Sequence, residues 1–231
     1  MAGEQGSRGA EVIASAPPLP RSSASMNSPL DEARHNRTGF VRAARLYSNI
    51  VSPPTIFAAL GLALAWRELP LLPGFLWAAV YGLIVSLAPI IFVLYLLKTG
   101  RIRELHMSNT RERHLPYLTA VLCAALAYGL LIWFNGPALL RCFSLFNVIE
   151  LAALGLINIF WLISIHATGI MAAFVIVGLV FGWTASLIVI PFVISVCWVR
   201  LYLKRHTPAQ VTAGLLLGVA SVLVLTLTGC F

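Results

Sequence analysis

From residue 46 to the C-terminus the chain repeats one pattern: an apolar stretch as long as a bilayer is thick, then a short turn-forming or charged break. The apolar runs fall at 49–66, 74–97, 116–134, 139–161, 166–182, 184–203 and 208–229. Glu68-Leu69-Pro70 with Pro73-Gly74, the polar stretch 98–114, Asn135-Gly136-Pro137 and Gly182-Trp183-Thr184 separate them. A hydrocarbon core of roughly 30 Å needs about 20 apolar residues per helix, and lipid leaves no partner for an open backbone. The expected fold is therefore all-α: a polytopic transmembrane helix bundle of six to seven spanning helices. The fifth run is short for a span, and the count is six if it is re-entrant or fuses with a neighbour. A composition of 59% hydrophobic and 10% charged residues agrees, because it cannot clothe a soluble globule.

Residues 1–45 are of another kind, rich in Gly, Ser, Pro and Arg and without the apolar core of a signal peptide. They are expected to form a disordered tail whose basic end, Arg34, Arg37, Arg42 and Arg45, touches anionic headgroups, ahead of a membrane domain over 46–231.

The charges report sidedness. Fourteen of the sixteen Lys and Arg residues lie in the tail, in the 98–114 loop or between the last two runs; Arg67 and Arg141 are the exceptions. With seven spans these regions share one face, and all five histidines share it too. The positive-inside rule makes that face cytoplasmic, in an integral protein of the cell membrane. The net charge of +8 is then a topology signal and no sign of nucleic acid. Cys123, Cys142, Cys197 and Cys230 sit in apolar stretches without a CxxC pair, and are expected to be small core residues and not a disulfide or zinc framework.

The only aspartate, Asp31, lies in the tail, so no paired carboxylates stand at the membrane face to hold magnesium, and any catalysis is expected to need neither metal nor cofactor. The charged face instead offers arginine, histidine, serine and threonine, a set suited to holding an anion and attacking it with imidazole. Three segments supply it: 103–116, 163–167 (Ile163-Ser164-Ile165-His166-Ala167) and 199–210, which the alternation of helices brings to one side.

These segments resemble the signatures of the type 2 phosphatidic acid phosphatase family, KxxxxxxRP, PSGH and SRxxxxxHxxxD. The third matches as Arg200, five residues, then His206, with Gln210 at the Asp position. The second matches as Ser164-Ile165-His166, and the first through Arg113, with His106 at the lysine position and His114 at the proline. The resemblance runs from about residue 98 onward. It implies metal-independent hydrolysis of a lipid phosphate monoester, of the phosphatidate or polyprenyl phosphate type. His206 would form a phosphohistidine, His166 would protonate the leaving alkoxide, and Arg113, Arg200 and Ser164 would hold the phosphoryl oxygens, with Gln210 and His106 in support. Thr207-Pro208 reads as N-cap and N1 of the last helix, aiming its positive end at the phosphate.

Other readings stand beside this one. Thr207-Pro208-Ala209-Gln210 is also a capping box, and Gln210 cannot supply the charge of the family's Asp. The alternative is thus a catalytically inactive membrane protein that keeps the fold and an anionic-lipid site. A transporter would show repeat symmetry or helices broken at the midplane, and only prolines are seen. Glu150, Asn147 and Asn158 share a face of the fourth helix and are expected to point into the bundle in a structural role. Membrane lipids are the expected partners; oligomeric state is not encoded in any pattern above.

Overall fold

The computed structural model describes residues 29–31, 34–102, 107 and 110–231, which hold helices and no strand. Eight helices follow one another: α1 (Gly39–Ile50), α2 (Pro53–Glu68), α3 (Leu71–Lys98), α4 (Thr110–Trp133), α5 (Ala138–Phe160), α6 (Ile165–Phe181), α7 (Trp183–Tyr202) and α8 (Pro208–Thr226). Among the described residues α3, α4, α5, α7 and α8 are long and apolar enough to cross a membrane. The pair α1 and α2, bent by 42° at its break, makes a sixth candidate, and α6 is a shorter apolar helix of 17 residues. The chain is thus an all-α bundle whose outer surface is apolar, with Leu72, Phe75, Ile91, Leu122, Leu156 and Ile188 exposed where lipid tails would lie.

Prolines shape the long helices. Pro89 follows a π turn at Leu83–Leu87, and Pro191 follows a 3-10 turn at Leu187–Val189. A proline ring has no N–H to give and crowds the carbonyl four residues back, so the helix locally widens or tightens ahead of it. Pro53 and Pro208 open α2 and α8, where a missing N–H costs nothing.

Helices α2 to α8 alternate in direction, which gathers the starts of α2, α4, α6 and α8 with the ends of α3, α5 and α7. Two close approaches hold this arrangement. Gly214 and Gly218 of α8 lie against the α6 backbone, where a Cβ would stand 2.7 Å from the Ser164 carbonyl oxygen and 2.4 Å from that of Thr168. Small residues four apart let two helix backbones meet in lipid, where close packing replaces the hydrophobic drive available in water. Deeper in the bundle Phe57, Tyr81, Phe143 and Phe146 form an aromatic cluster, Phe143 and Phe146 stacked at 5.8 Å and the Phe57 ring edge-on to both.

At the opposite face Glu68 Oε2 accepts the Leu139 amide at 2.9 Å, satisfying one of the open donors at the start of α5. The same face carries a correction to the cysteine reading: Cys142 and Cys230 form a disulfide, with Cα atoms 5.5 Å apart. Alternation of the helices returns the C-terminus to the end where α5 begins, so cysteines 88 positions apart meet, which their spacing alone does not reveal. Cys123 and Cys197 are free and half-buried.

Helix α1 begins within the segment that composition assigns to the tail. Its apolar stripe, Val41, Ala44 and Tyr47, packs on Val199, Tyr202 and Leu203 of α7 and the loop beyond, while Phe40 meets the rings of Trp198 and Tyr202 edge-on. One apolar stripe with arginines between makes α1 amphipathic. Residues 1–28 lie outside the described part.

Candidate active site

The gathered helix ends enclose a cavity of about 400 Å³, lined on one side by Ser48, Ser52 and Pro53 and on the other by Arg113, Tyr117, His166, Arg200 and His206. Four of the residues singled out in the sequence, His206, His166, Arg200 and Arg113, therefore face one space although they come from α4, α6, α7 and the α7–α8 loop.

Local structure explains each placement. Arg200 sits in the last turn of α7, 2% exposed, and its Nη1 donates to Ser48 Oγ at 3.1 Å. Beyond it the chain turns sharply: Lys204 takes φ +52°, the Lys204 amide donates to the Leu201 carbonyl at 3.0 Å and the Arg205 amide to the Arg200 carbonyl at 3.1 Å. This pair of bonds ends a helix with a left-handed residue and redirects the chain at once, delivering His206 one residue later. Thr207 then caps α8, its hydroxyl accepting the Gln210 amide, and Pro208 opens the helix. The positive end of α8 points toward the ground occupied by His206.

His206 is 6% exposed, and neither ring nitrogen makes a hydrogen bond of full geometry among the described residues. Burial pushes its pKa down from 6.5 to about 2, the cations Arg200 and Arg113 adding to the effect, while Gln210 and the Leu162 backbone act weakly the other way. Its imidazole is consequently neutral at physiological pH, the state that carries a nucleophilic lone pair. His166 is half-buried, with Nε2 3.2 Å from the Ser48 carbonyl oxygen. Arg113, in the first turn of α4, donates from Nε to the Met107 carbonyl at 2.7 Å. Two guanidinium groups and a helix end around a neutral imidazole have the chemistry to hold a tetrahedral oxyanion.

Of the other singled-out residues, Ser164, Gln210 and His114 do not line the cavity, although the Gln210 side chain reaches His206. Ser164 is fully buried as the N-cap of α6: its Oγ accepts the Ala167 amide at 3.3 Å and its carbonyl accepts Thr168 Oγ1 at 2.9 Å. Gln210 completes the capping box foreseen for it, its Oε1 accepting the Thr207 amide at 3.0 Å. His114 is exposed, and His106 lies outside the described residues. Glu150, Asn147 and Asn158 are buried in α5 as expected; Asn147 donates to the Tyr81 hydroxyl at 2.8 Å and Asn158 to that of Tyr117 at 3.2 Å.

No known protein family, curated protein or solved structure matches this chain. The site must be read from its own residues.

Four residues at or beside the site had no place in it on sequence grounds. Ser48 and Ser52 flank the α1–α2 break, and their signal was a polar pair inside an apolar run just before Pro53-Pro54. Tyr117 stands four residues after Arg113, the spacing that puts two side chains on one helix face. Asp31, known from the sequence as the lone aspartate of the tail, carried no local signal of its place beside the site.

Proposed function

We propose that this chain is a lipid phosphate phosphatase that works without a metal, through a phosphohistidine on His206. The observation that carries the reading is the convergence of His206, His166, Arg200 and Arg113 on one cavity at the end of the bundle. The neutral His206 attacks phosphorus, the bond to the lipid oxygen breaks, and His166 gives that alkoxide its proton. Water then attacks the phosphorus as His166 takes its proton, the phosphorus–nitrogen bond breaks with its pair returning to His206, and inorganic phosphate leaves. Arg113 and Arg200 hold the equatorial oxygens throughout, where a loose phosphoryl transition state gathers its charge.

A lipid as substrate is supported by an apolar groove of about 570 Å³ between α2 and α3, whose walls include Ala58, Leu62, Ala79 and Gly82. Pro54 and Ile90 line both groove and cavity, so a chain lying in the groove leads its head group into the site. A cytoplasmic orientation of the site in the cell membrane is supported by the basic face and by the disulfide at the other end of the bundle, since disulfides persist on the oxidising side.

The test is phosphate release from a panel of phosphatidates and polyprenyl phosphates by the purified protein with EDTA present. Release that His206→Ala abolishes supports the reading, and absence of release from every lipid by folded protein removes it. One observation favours a second reading, an inactive protein that binds anionic lipid: the Gln210 side chain is engaged in the helix cap and carries no charge to steady an imidazolium. Saturable binding of phosphatidate vesicles without turnover would single it out.

A further inference from the structure

Asp31 is the only aspartate in the chain and is fully buried. One carboxylate oxygen accepts Arg205 Nε at 2.8 Å and the other accepts Arg45 Nη1 at 2.9 Å. Its backbone carbonyl accepts Arg37 Nε at 2.8 Å and Arg45 Nη1 at 3.0 Å, and the preceding Leu30 amide donates to the Leu203 carbonyl at 3.1 Å. The segment ahead of α1 thus straps the α7–α8 loop, with Leu203 and Arg205 held on one side of His206 and the α8 cap on the other.

We infer that Asp31 is a positioning residue for the site: the N-terminal strap fixes the loop that presents His206 to the cavity. The inference rests on the phosphatase reading for its kinetic consequence, and on geometry alone for its structural one. The clamped Arg205 immediately precedes His206 in the chain, so little slack remains between the ion pair and the imidazole. The carboxylate also neutralises a cation beside the pocket. Without it Arg205 would add to Arg113 and Arg200 in the repulsion on a His206 imidazolium, and the loop would lose its ionic tie to Arg45 of α1. Such buried pairs are costly to break from one side because the surviving charge stays in a poor solvent.

The experiment follows the rate at which diethyl pyrocarbonate acylates His206, read by mass spectrometry of the full chain in detergent micelles without substrate. Wild type, Asp31→Asn, Asp31→Glu and Arg205→Gln are compared with the double variant Asp31→Asn/Arg205→Gln. In Asp31→Asn, acylation of His206 is expected to accelerate at least about tenfold while the melting curve remains cooperative. Asp31→Glu restores at least part of the protection, and the double variant is no faster than the faster single one, because both act through one pair. Where lipid phosphate is hydrolysed, kcat falls about tenfold or more with KM held within about threefold, the pattern of a misplaced nucleophile and not of lost binding. An unchanged acylation rate in Asp31→Asn overturns the inference, as does an effect confined to KM. If Asp31→Asn does not fold, the acylation rate in Arg205→Gln decides by the same criterion. If wild type releases no phosphate, the phosphatase reading fails, yet the acylation comparison still decides the strap.

Discussion

The Ser48 hydroxyl accepts a hydrogen bond from the Arg200 guanidinium at 3.1 Å across 152 positions of sequence. The Ser48 carbonyl lies 3.2 Å from His166 Nε2, so one residue at the end of α1 touches both a cation and an imidazole of the site. The break between α1 and α2 is therefore part of the site's construction.

Removing the hydroxyl separates these two contacts. Ser48→Ala leaves the carbonyl beside His166 but strips Arg200 of one oriented partner, a charge-assisted bond worth about 1.5–3 kcal/mol. We expect kcat/KM for a lipid phosphate to fall about tenfold or more, with less effect on thermal stability than on rate. Steady-state kinetics beside a melting curve will show whether the loss is in the rate.

Acid should act on the fold through His206. Its pKa is about 2 when folded against an ordinary 6.5, so between those values the unfolded chain binds the proton and the folded chain does not. Stability from this group is complete above about pH 6.5 and falls as the pH drops toward 2, with a slope approaching about 1.4 kcal/mol per pH unit. His206→Gln should flatten that part of the profile. Melting of both proteins across pH 4 to 7, about a unit apart, provides the comparison; parallel curves would exclude this origin.

Packing of α8 on α6 depends on the absence of side chains at Gly214 and Gly218. Gly218→Ala places a methyl where the Thr168 carbonyl oxygen already stands 2.4 Å from the Cβ position. The helices must move apart, at a cost of about 1–3 kcal/mol, and His206 moves with α8. We expect a lowered melting temperature together with faster loss of activity. Gly129→Ala, where open space surrounds the added carbon, should leave both nearly unchanged.

The groove can be filled without touching the cavity. Ala58→Trp projects bulk into the space between α2 and α3. Hydrolysis of a long-chain lipid phosphate should drop about tenfold or more in kcat/KM, while a short-chain soluble phosphate monoester is affected less than about threefold. Equal losses on both substrates would place the fault in the site and not in the groove.

Reduction of the Cys142–Cys230 disulfide unties the start of α5 from the C-terminus, and its removal by Cys142→Ser should cost about 2–5 kcal/mol. In intact cells an impermeant reductant should reach this bond, while an impermeant thiol reagent should fail to reach a cysteine placed at exposed Lys204. Labelling of Lys204→Cys from outside would reverse the proposed orientation.

Much of this was legible in the chain. The length of each apolar run and the prolines and glycines between them set the helices, because lipid admits only closed backbone hydrogen bonding. The Thr207-Pro208-Ala209-Gln210 cap was readable because capping is a contact between residues three apart. Arg113, His166, Arg200 and His206 were readable as a set because alternating helices fix which ends share a face. Ser48 and Tyr117 were less visible: a serine in an apolar run and a tyrosine on a helix have many ordinary uses.

Sequence by itself determined that this chain is an all-α bundle of membrane-length apolar helices with most of its cations in three segments between them, since hydropathy and charge act locally and independently of the partner. Tertiary structure alone decided three things: that Cys142 pairs with Cys230, that Asp31 clamps Arg205, and that a groove between α2 and α3 meets the cavity. Each depends on the distance between residues far apart in the chain, and that distance is set by how whole helices pack, which no window of sequence contains.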